Sequence, residues 1–204
     1  MSGDMLPRLN VRTAAELPAG RVVLLPGTPG SALPGAVTYH EWLADTDGQG
    51  IILPADEDAM IAVNYTSGTT GRPKGVIYTH RGAYLNAVSV ALEFELSTAS
   101  CLLWTLPMFH CNGWSMTWGA TAVGATHVCL GSFDPQRALD LAGRYPVSHL
   151  CGAPVVLSEL ARAGAQRGFT AERPLRAAVG GAPPTKETIA AVQQMGITPM
   201  ATSS

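Results

Sequence analysis

Four hydroxyl side chains, those of Thr66, Ser67, Thr69 and Thr70, alternate with Gly68, Gly71 and Gly75 in the stretch Tyr65 to Gly75, which reads YTSGTTGRPKG. Lys74 follows Pro73 directly. Glycine lets successive backbone N–H groups converge on an anion, the hydroxyls add donors, and the ammonium adds a point charge. The chemistry that this set suits is the cradling of a polyphosphate. It is not the Walker loop, because GxxxxGK[ST] needs Gly and Lys together, whereas Arg72 and Pro73 stand between Gly71 and Lys74 and Gly75 occupies the Ser/Thr place. A flexible Gly/Ser/Thr linker is the competing reading. Against it stand the apolar runs hard against both ends.

Two further stretches hold chemical potential. Leu106 to Trp114, LPMFHCNGW, interrupts an apolar run with a polar, aromatic turn and makes His110 a site candidate, although a lone His beside Phe and Cys is more often a core residue. Gly180 to Pro184, GGAPP, has bare backbone that can approach a flat ring or a carboxylate, or can serve as a plain strand-to-helix turn. A nucleophile or metal pair at His110 and Cys111 is set aside, because adjacent residues point apart and no acid or third ligand lies at a useful spacing.

YTSGTTGRPKG resembles the phosphate-binding signature of the AMP-binding, adenylate-forming superfamily, which includes acyl-CoA synthetases, luciferases and peptide-synthetase adenylation domains. The resemblance implies that Thr66, Ser67, Gly68, Thr69, Thr70, Gly71 and Lys74 hold the β- and γ-phosphates of ATP while a carboxylate attacks the α-phosphate, giving an acyl-AMP and then an acyl-CoA. It also implies that His110 helps to orient the carboxylate, and that Gly180, Gly181 and Ala182 line the adenine and acyl side. ATP, Mg2+ and coenzyme A are the implied cofactors, and a carboxylic acid, of medium or long chain by the wording around Tyr84 to Trp118, is the implied substrate. Trp114, Met116 and Trp118 are candidate walls of an acyl tunnel, with the core as their alternative place.

These residues need a scaffold. Met60 to Asn64 and Val76 to Tyr78 read as short buried strands on either side of the phosphate loop. Thr79 is placed to cap a helix from about Arg81 to Leu92 whose Leu85, Val88 and Leu92 form a core-facing stripe. Cys101 to Leu106 reads as a strand, Gly113 to Val123 as a closely packed helix, and Thr126 to Leu130 as a strand. Asp134 and Pro135 open a helix to about Arg144. A strand from Val147 to Cys151, a helix from Pro154 to about Ala165, a strand from Leu175 to Val179 and a helix from Thr185 to Met195 complete the alternation. Earlier in the chain, Arg21 to Leu25 is a strand, and Thr38 with Glu41 forms a capping box. Strand–helix alternation predicts an α/β fold: a mostly parallel sheet with helices on both faces and right-handed crossovers. The resemblance implies that this sheet is a truncated part of the large N-terminal domain of an adenylate-forming enzyme.

With 204 residues, 47% of them hydrophobic, the chain is long enough for a sizeable core, and a net charge of -2 with 14% charged residues leaves no basic stripe for nucleic acid. No window is apolar enough to span a membrane and no leader is visible, so a cytoplasmic protein is expected. Cys101, Cys111, Cys129 and Cys151 read mostly as buried free thiols. The expected organisation is a poorly assigned segment over 1–55, an AMP-binding core over 56–196 and a cut-off tail over 197–204, where the family's Y-G-x-T-E motif does not appear. On this reading the chain is a central fragment, unable to turn over alone and inclined to self-associate through uncovered edges. The rival reading is a non-catalytic nucleotide-binding or interaction remnant.

Overall fold

A computed structural model describes residues 23–24, 35–45, 48, 50, 53–66 and 73–201. The chain divides into two compact units, Met1–Leu53 and Pro54–Ser204. In the first, β1 (Val23–Leu24) pairs in parallel with β2 (Val37–Thr38), which runs into α1 (Tyr39–Ala44). The Thr38 hydroxyl accepts from the Glu41 N–H at 3.2 Å while the Glu41 carboxylate accepts from the Thr38 N–H at 2.8 Å, the expected capping box.

The second unit is built on a parallel five-stranded sheet in the order β6 (Thr126–Cys129), β5 (Cys101–Trp104), β7 (His149–Gly152), β8 (Leu175–Val179), β9 (Ile197–Ala201). Alternate side chains feed two cores, as the strand period of two requires when both faces are covered. Cys101, Leu103, Leu150 and Ala177 join α5 (Pro135–Arg144), α6 (Pro154–Arg167) and α7 (Lys186–Gln194) on one face through Leu139, Leu157, Leu160 and Val192. Leu102, Trp104, Cys151 and Ala178 join Phe94, Met116 and Ala120 on the other, beside α2 (His80–Glu93) and α4 (Met116–Ala122). The chain steps from β5 outward to β6 with α4 between them, then returns across β5 to β7 by way of α5. A constant hand of crossover requires the helix to change faces when the strand order reverses, and it does.

Caps set the helix starts. Asp134 accepts from the Arg137 N–H at 2.7 Å, with Pro135 at the first helical position; Thr79 and Thr185 accept from the N–H groups of Gly82 and Thr188. Gly168 and Gly196, at φ 63° and 78°, end the turns that stop α6 and α7.

Three expectations need correction. β3 (Met60–Thr66) and β4 (Lys74–Thr79) form an antiparallel hairpin that is a separate two-stranded sheet, and its strands are largely exposed instead of buried, because among the described residues it pairs with no further strand and lies outside both cores. The stripe Leu85, Val88 and Leu92 of α2 faces outward, with Leu92 75% exposed. The buried face is instead Ala83 and Ala87, and the reason is close approach: a Cβ on Gly119 of α4 would come within 3.1 Å of the Ala87 carbonyl. Small residues, not large ones, set that interface. Third, the helix expected from Gly113 begins at Met116; the preceding turn α3 (Cys111–Trp114) has dihedrals of the left-handed region. Of the cysteines, Cys101 and Cys151 are buried and Cys111 and Cys129 are exposed, all as free thiols.

Candidate functional site at the reversal of strand order

β3 and β4 meet in register from Ala62 opposite Tyr78 to Thr66 opposite Lys74. Thr66 and Lys74 therefore form the last rung before the connecting segment, facing each other across its mouth. Ser67, Gly68, Thr69, Thr70 and Gly71 lie outside the described residues. Lys74 is exposed, so its ammonium is free to meet an anion held between the strand ends. The base of the hairpin is anchored: Arg81 pairs with Glu57 at 2.6 Å, the His80 N–H donates to the Ala59 carbonyl at 3.1 Å, and the Tyr78 ring lies 6.1 Å from that of Trp118.

His110 follows the carboxyl end of β5, and β5 lies between the two directions in which the chain leaves it, β6 on one side and β7 on the other. Such a reversal opens a crevice at the strand ends, the usual ligand position in an open α/β sheet. A buried bond closes the floor there: the Thr105 hydroxyl donates to the Cys151 carbonyl at 2.6 Å. The imidazole itself is exposed, its backbone N–H held by the Pro107 carbonyl at 3.1 Å. Gly180, Gly181 and Ala182 follow the carboxyl end of β8, next to β7, and so share this edge with His110. Gly181 has φ 89°, which favours glycine, and nothing lies within 4 Å of the Cβ it lacks, so the backbone there is open to a ligand.

After His110 the backbone takes an uncommon path. Cys111, Asn112, Gly113, Trp114 and Ser115 have φ of 49°, 50°, 60°, 53° and 59°. Each non-glycine residue in this region costs about 1–2 kcal/mol, so surrounding contacts must hold the run in place. The Trp104 ring lies so close to Gly113 that an added Cβ would stand 2.5 Å from it, and the Thr117 hydroxyl donates to the Asn112 carbonyl at 2.9 Å. The Asn112 side-chain nitrogen is buried without a hydrogen-bond partner. Trp114 and Trp118 are half-buried beside this turn, whereas Met116 is 1% exposed and belongs to the core.

Two histidines escaped the sequence reading. His149 of β7 is buried, with Nε2 donating to the Phe94 carbonyl at 2.8 Å and Nδ1 accepting from the Ser148 hydroxyl at 2.8 Å; burial pushes its pKa down. His127 of β6 accepts from the Trp104 indole at 2.9 Å through Nδ1. An isolated His inside an apolar strand gives no pattern by which to find either. Two clefts of the second unit, of about 300 Å³ beside Arg144, Tyr145 and Arg173 and about 450 Å³ beside Arg173, Gln193 and Thr198, lie at the amino ends of the strands, away from His110. Among the described residues no cluster of three His, Cys, Asp or Glu side chains could hold a metal ion, so they offer no ligand set for the implied magnesium.

The chain is 40% identical over 161 residues to 4-hydroxybutyrate--CoA ligase 2 of Metallosphaera sedula, covering 78% of this chain and 29% of that protein. It is 41% identical over 141 residues to the peroxisomal trans-cinnamate:CoA ligase of Petunia hybrida, covering 69% and 25%. The chain thus spans under a third of the length of these curated relatives. Its fold matches the inhibitor-bound N-terminal domain of FACL13 from Mycobacterium tuberculosis, with a TM-score of 0.77 at 20% identity, over 100% of this chain and 54% of that one. It matches the Bacillus subtilis O-succinylbenzoate coenzyme A synthetase in complex with ATP and magnesium, with a TM-score of 0.68 at 25% identity, over 98% and 41%. The family model of the AMP-binding enzymes matches residues 11–202, and the chain belongs to that family.

Proposed function

We propose that this chain is part of an ATP-dependent ligase that activates a carboxylic acid as an acyl-AMP and passes it to coenzyme A. The observation that carries this is the shared carboxyl edge, where His110 stands at the reversal of strand order with Gly180, Gly181 and Ala182 two strands away, in a chain that also carries YTSGTTGRPKG between β3 and β4. In this reading Thr66, Ser67, Gly68, Thr69, Thr70, Gly71 and Lys74 hold the outer phosphates of ATP. His110 orients the carboxylate, and the Gly180 edge lies along the adenine or acyl group. The Petunia relative is named for an aromatic acid and the Metallosphaera one for a short hydroxy acid. A fatty acid of medium or long chain is the proposed substrate here, to be tested against those classes.

The 204 residues by themselves are proposed to bind without useful turnover, because they span under a third of the relatives' length and positioning and electrostatic groups act together in such a reaction. The exposed Tyr65 and Ile77 of the hairpin and Leu85 and Leu92 of α2 support self-association of the isolated chain, which sedimentation at several concentrations measures. A cytoplasmic location completes the proposal; a fluorescent fusion found in peroxisomes would overturn that part.

Calorimetric titration with ATP tests the central claim. Lys74→Met removes a charge-assisted contact worth about 1.5–3 kcal/mol, so affinity should fall about 10- to 100-fold. Equal affinity of the two proteins would remove Lys74 and the loop from the nucleotide site.

A further inference from the structure

The left-handed turn beyond His110 is gripped from two sides by one chain of hydrogen bonds. Trp104 and His127 sit on neighbouring strands, His127 lying diagonal to Trp104 on the same face because it pairs with Leu102 and Trp104 pairs with Cys129. Their rings are nearly coplanar, inclined at 19° with centroids 5.8 Å apart. An indole nitrogen only donates, so at 2.9 Å the His127 Nδ1 must be the acceptor and its proton resides on Nε2. Nε2 then donates to the Thr121 hydroxyl at 3.4 Å, and that hydroxyl donates to the Thr117 carbonyl at 2.6 Å. Thr117 in turn donates to the Asn112 carbonyl at 2.9 Å. The chain begins at the ring that lies against Gly113 and ends at the carbonyl one residue before it.

We infer that Trp104 and His127 are positioning residues for His110, acting through the turn Cys111–Ser115 that they clamp. The clamp accounts for what is otherwise unfavourable in the turn: four non-glycine residues at positive φ and a buried amide nitrogen of Asn112 with no partner. A tryptophan lacking a fixed hydrogen-bond partner would be free to tilt, and Gly113, which has no side chain, follows the ring face. His110 is joined to this run by the bond from the Gly113 N–H to the His110 carbonyl at 2.9 Å. Displacement of Gly113 is therefore transmitted to the residue that the proposed function places against the substrate carboxylate. This inference rests on that placement of His110, and the acid, not the nucleotide, is the ligand it should affect.

The test compares wild type with His127→Leu, His127→Gln and Trp104→Phe. Gln keeps an acceptor for the indole N–H, whereas Leu keeps only volume. The first measurement is the nitrogen–proton correlation spectrum, following the Trp104 indole proton and the backbone amides of residues 110–115, together with the His110 ring carbons. His127→Leu should shift or broaden all of these, Trp104→Phe should shift or broaden the backbone amides and the His110 ring carbons, and His127→Gln should leave them as in wild type. The second measurement is titration with 2-methylpropanoate, benzoate and octanoate beside ATP. Acid affinity should fall about fivefold to tenfold in the Leu and Phe variants, the equivalent of one lost hydrogen bond, and recover in the Gln variant. ATP affinity should stay within twofold in all of them. An undisturbed turn in His127→Leu, or a Gln variant no better than Leu, would overturn the positioning role. So would an unchanged acid affinity despite a shifted turn, or a wild type that binds ATP through Lys74 but titrates with none of the acids. In that last case the nucleotide part of the proposed function still stands. Loss of both ATP and acid binding in wild type would overturn both.

Discussion

Thr105 and Cys151 are tied at 2.6 Å by a hydroxyl-to-carbonyl hydrogen bond that spans the carboxyl ends of β5 and β7. The bond sits where the strand order reverses, in the segment leading to His110, so it fixes the floor of the crevice and the start of the loop above it. Thr105→Val keeps the shape and removes the donor. Stability should fall by about 0.5–1.5 kcal/mol, read as a lower urea midpoint at unchanged slope. A midpoint equal to that of wild type would show that the bond adds nothing to the fold.

The four thiols should separate into two reactive and two inert. Burial pushes the Cys151 thiol up to about 12, against a smaller opposing effect of the Leu106 backbone N–H, and raises that of Cys101. A disulfide reagent at neutral pH should label Cys111 and Cys129 promptly, and Cys101 and Cys151 only on unfolding. Fast labelling of Cys151 in native protein, identified by peptide mass, would contradict its place between the sheet and α4.

His149 makes stability depend on pH in a definite direction. Its folded-state pKa lies below the ordinary 6.5, first because burial disfavours the cation and then because Arg176 repels it, while the Phe94 carbonyl and Glu95 act the other way. Between the folded and unfolded values the unfolded chain binds more protons, so stability rises with pH there and is lost as pH falls below about 6.5. His149→Gln should weaken that dependence between pH 7.5 and 5.5, whatever its effect on stability at neutral pH. Parallel pH profiles of the two urea midpoints would assign the dependence to another group.

Gly113→Ala places a methyl group 2.5 Å from the Trp104 ring at a φ of 60°, so the hydrogen-bonded ring or the backbone must shift. A loss of about 1–3 kcal/mol is expected, by the usual scale of overpacking. Thermal unfolding followed by circular dichroism measures it; an unchanged midpoint would mean that the turn is free to move off the ring.

Much of the fold could be read from local chemistry. Asp134 with Pro135, Thr185 and the Thr38–Glu41 pair announce helix starts through groups that act within three residues, and each does so in the structure. The strand Leu175–Val179 was visible because its residues are mostly buried, which leaves an apolar run interrupted only by Arg176. What the sequence hid was partnership over distance. Leu85, Val88 and Leu92 have helical spacing, but which face of α2 turns inward was decided by Gly119 and Ala87. The hairpin strands are as apolar as buried ones. The left-handed turn is held by Trp104, seven or more residues earlier, and by Thr117 beyond it, so the composition of CNGWS alone gives no warning. His110 and the Gly180 edge were found as residues; that they share one sheet edge needed the strand order.

Because among the described residues β3 and β4 pair as strands only with each other, the hairpin should have a stability of its own, distinct from that of the five-stranded sheet. Amide hydrogens along Ile61 to Thr66 and Lys74 to Tyr78 should exchange with solvent through a local opening that leaves the sheet closed. Substitutions deep in the Leu157 and Leu160 core would then lower the energy of global unfolding while leaving hairpin exchange untouched. On this prediction, the strands on either side of the proposed phosphate segment would open and close without disturbing the crevice around His110.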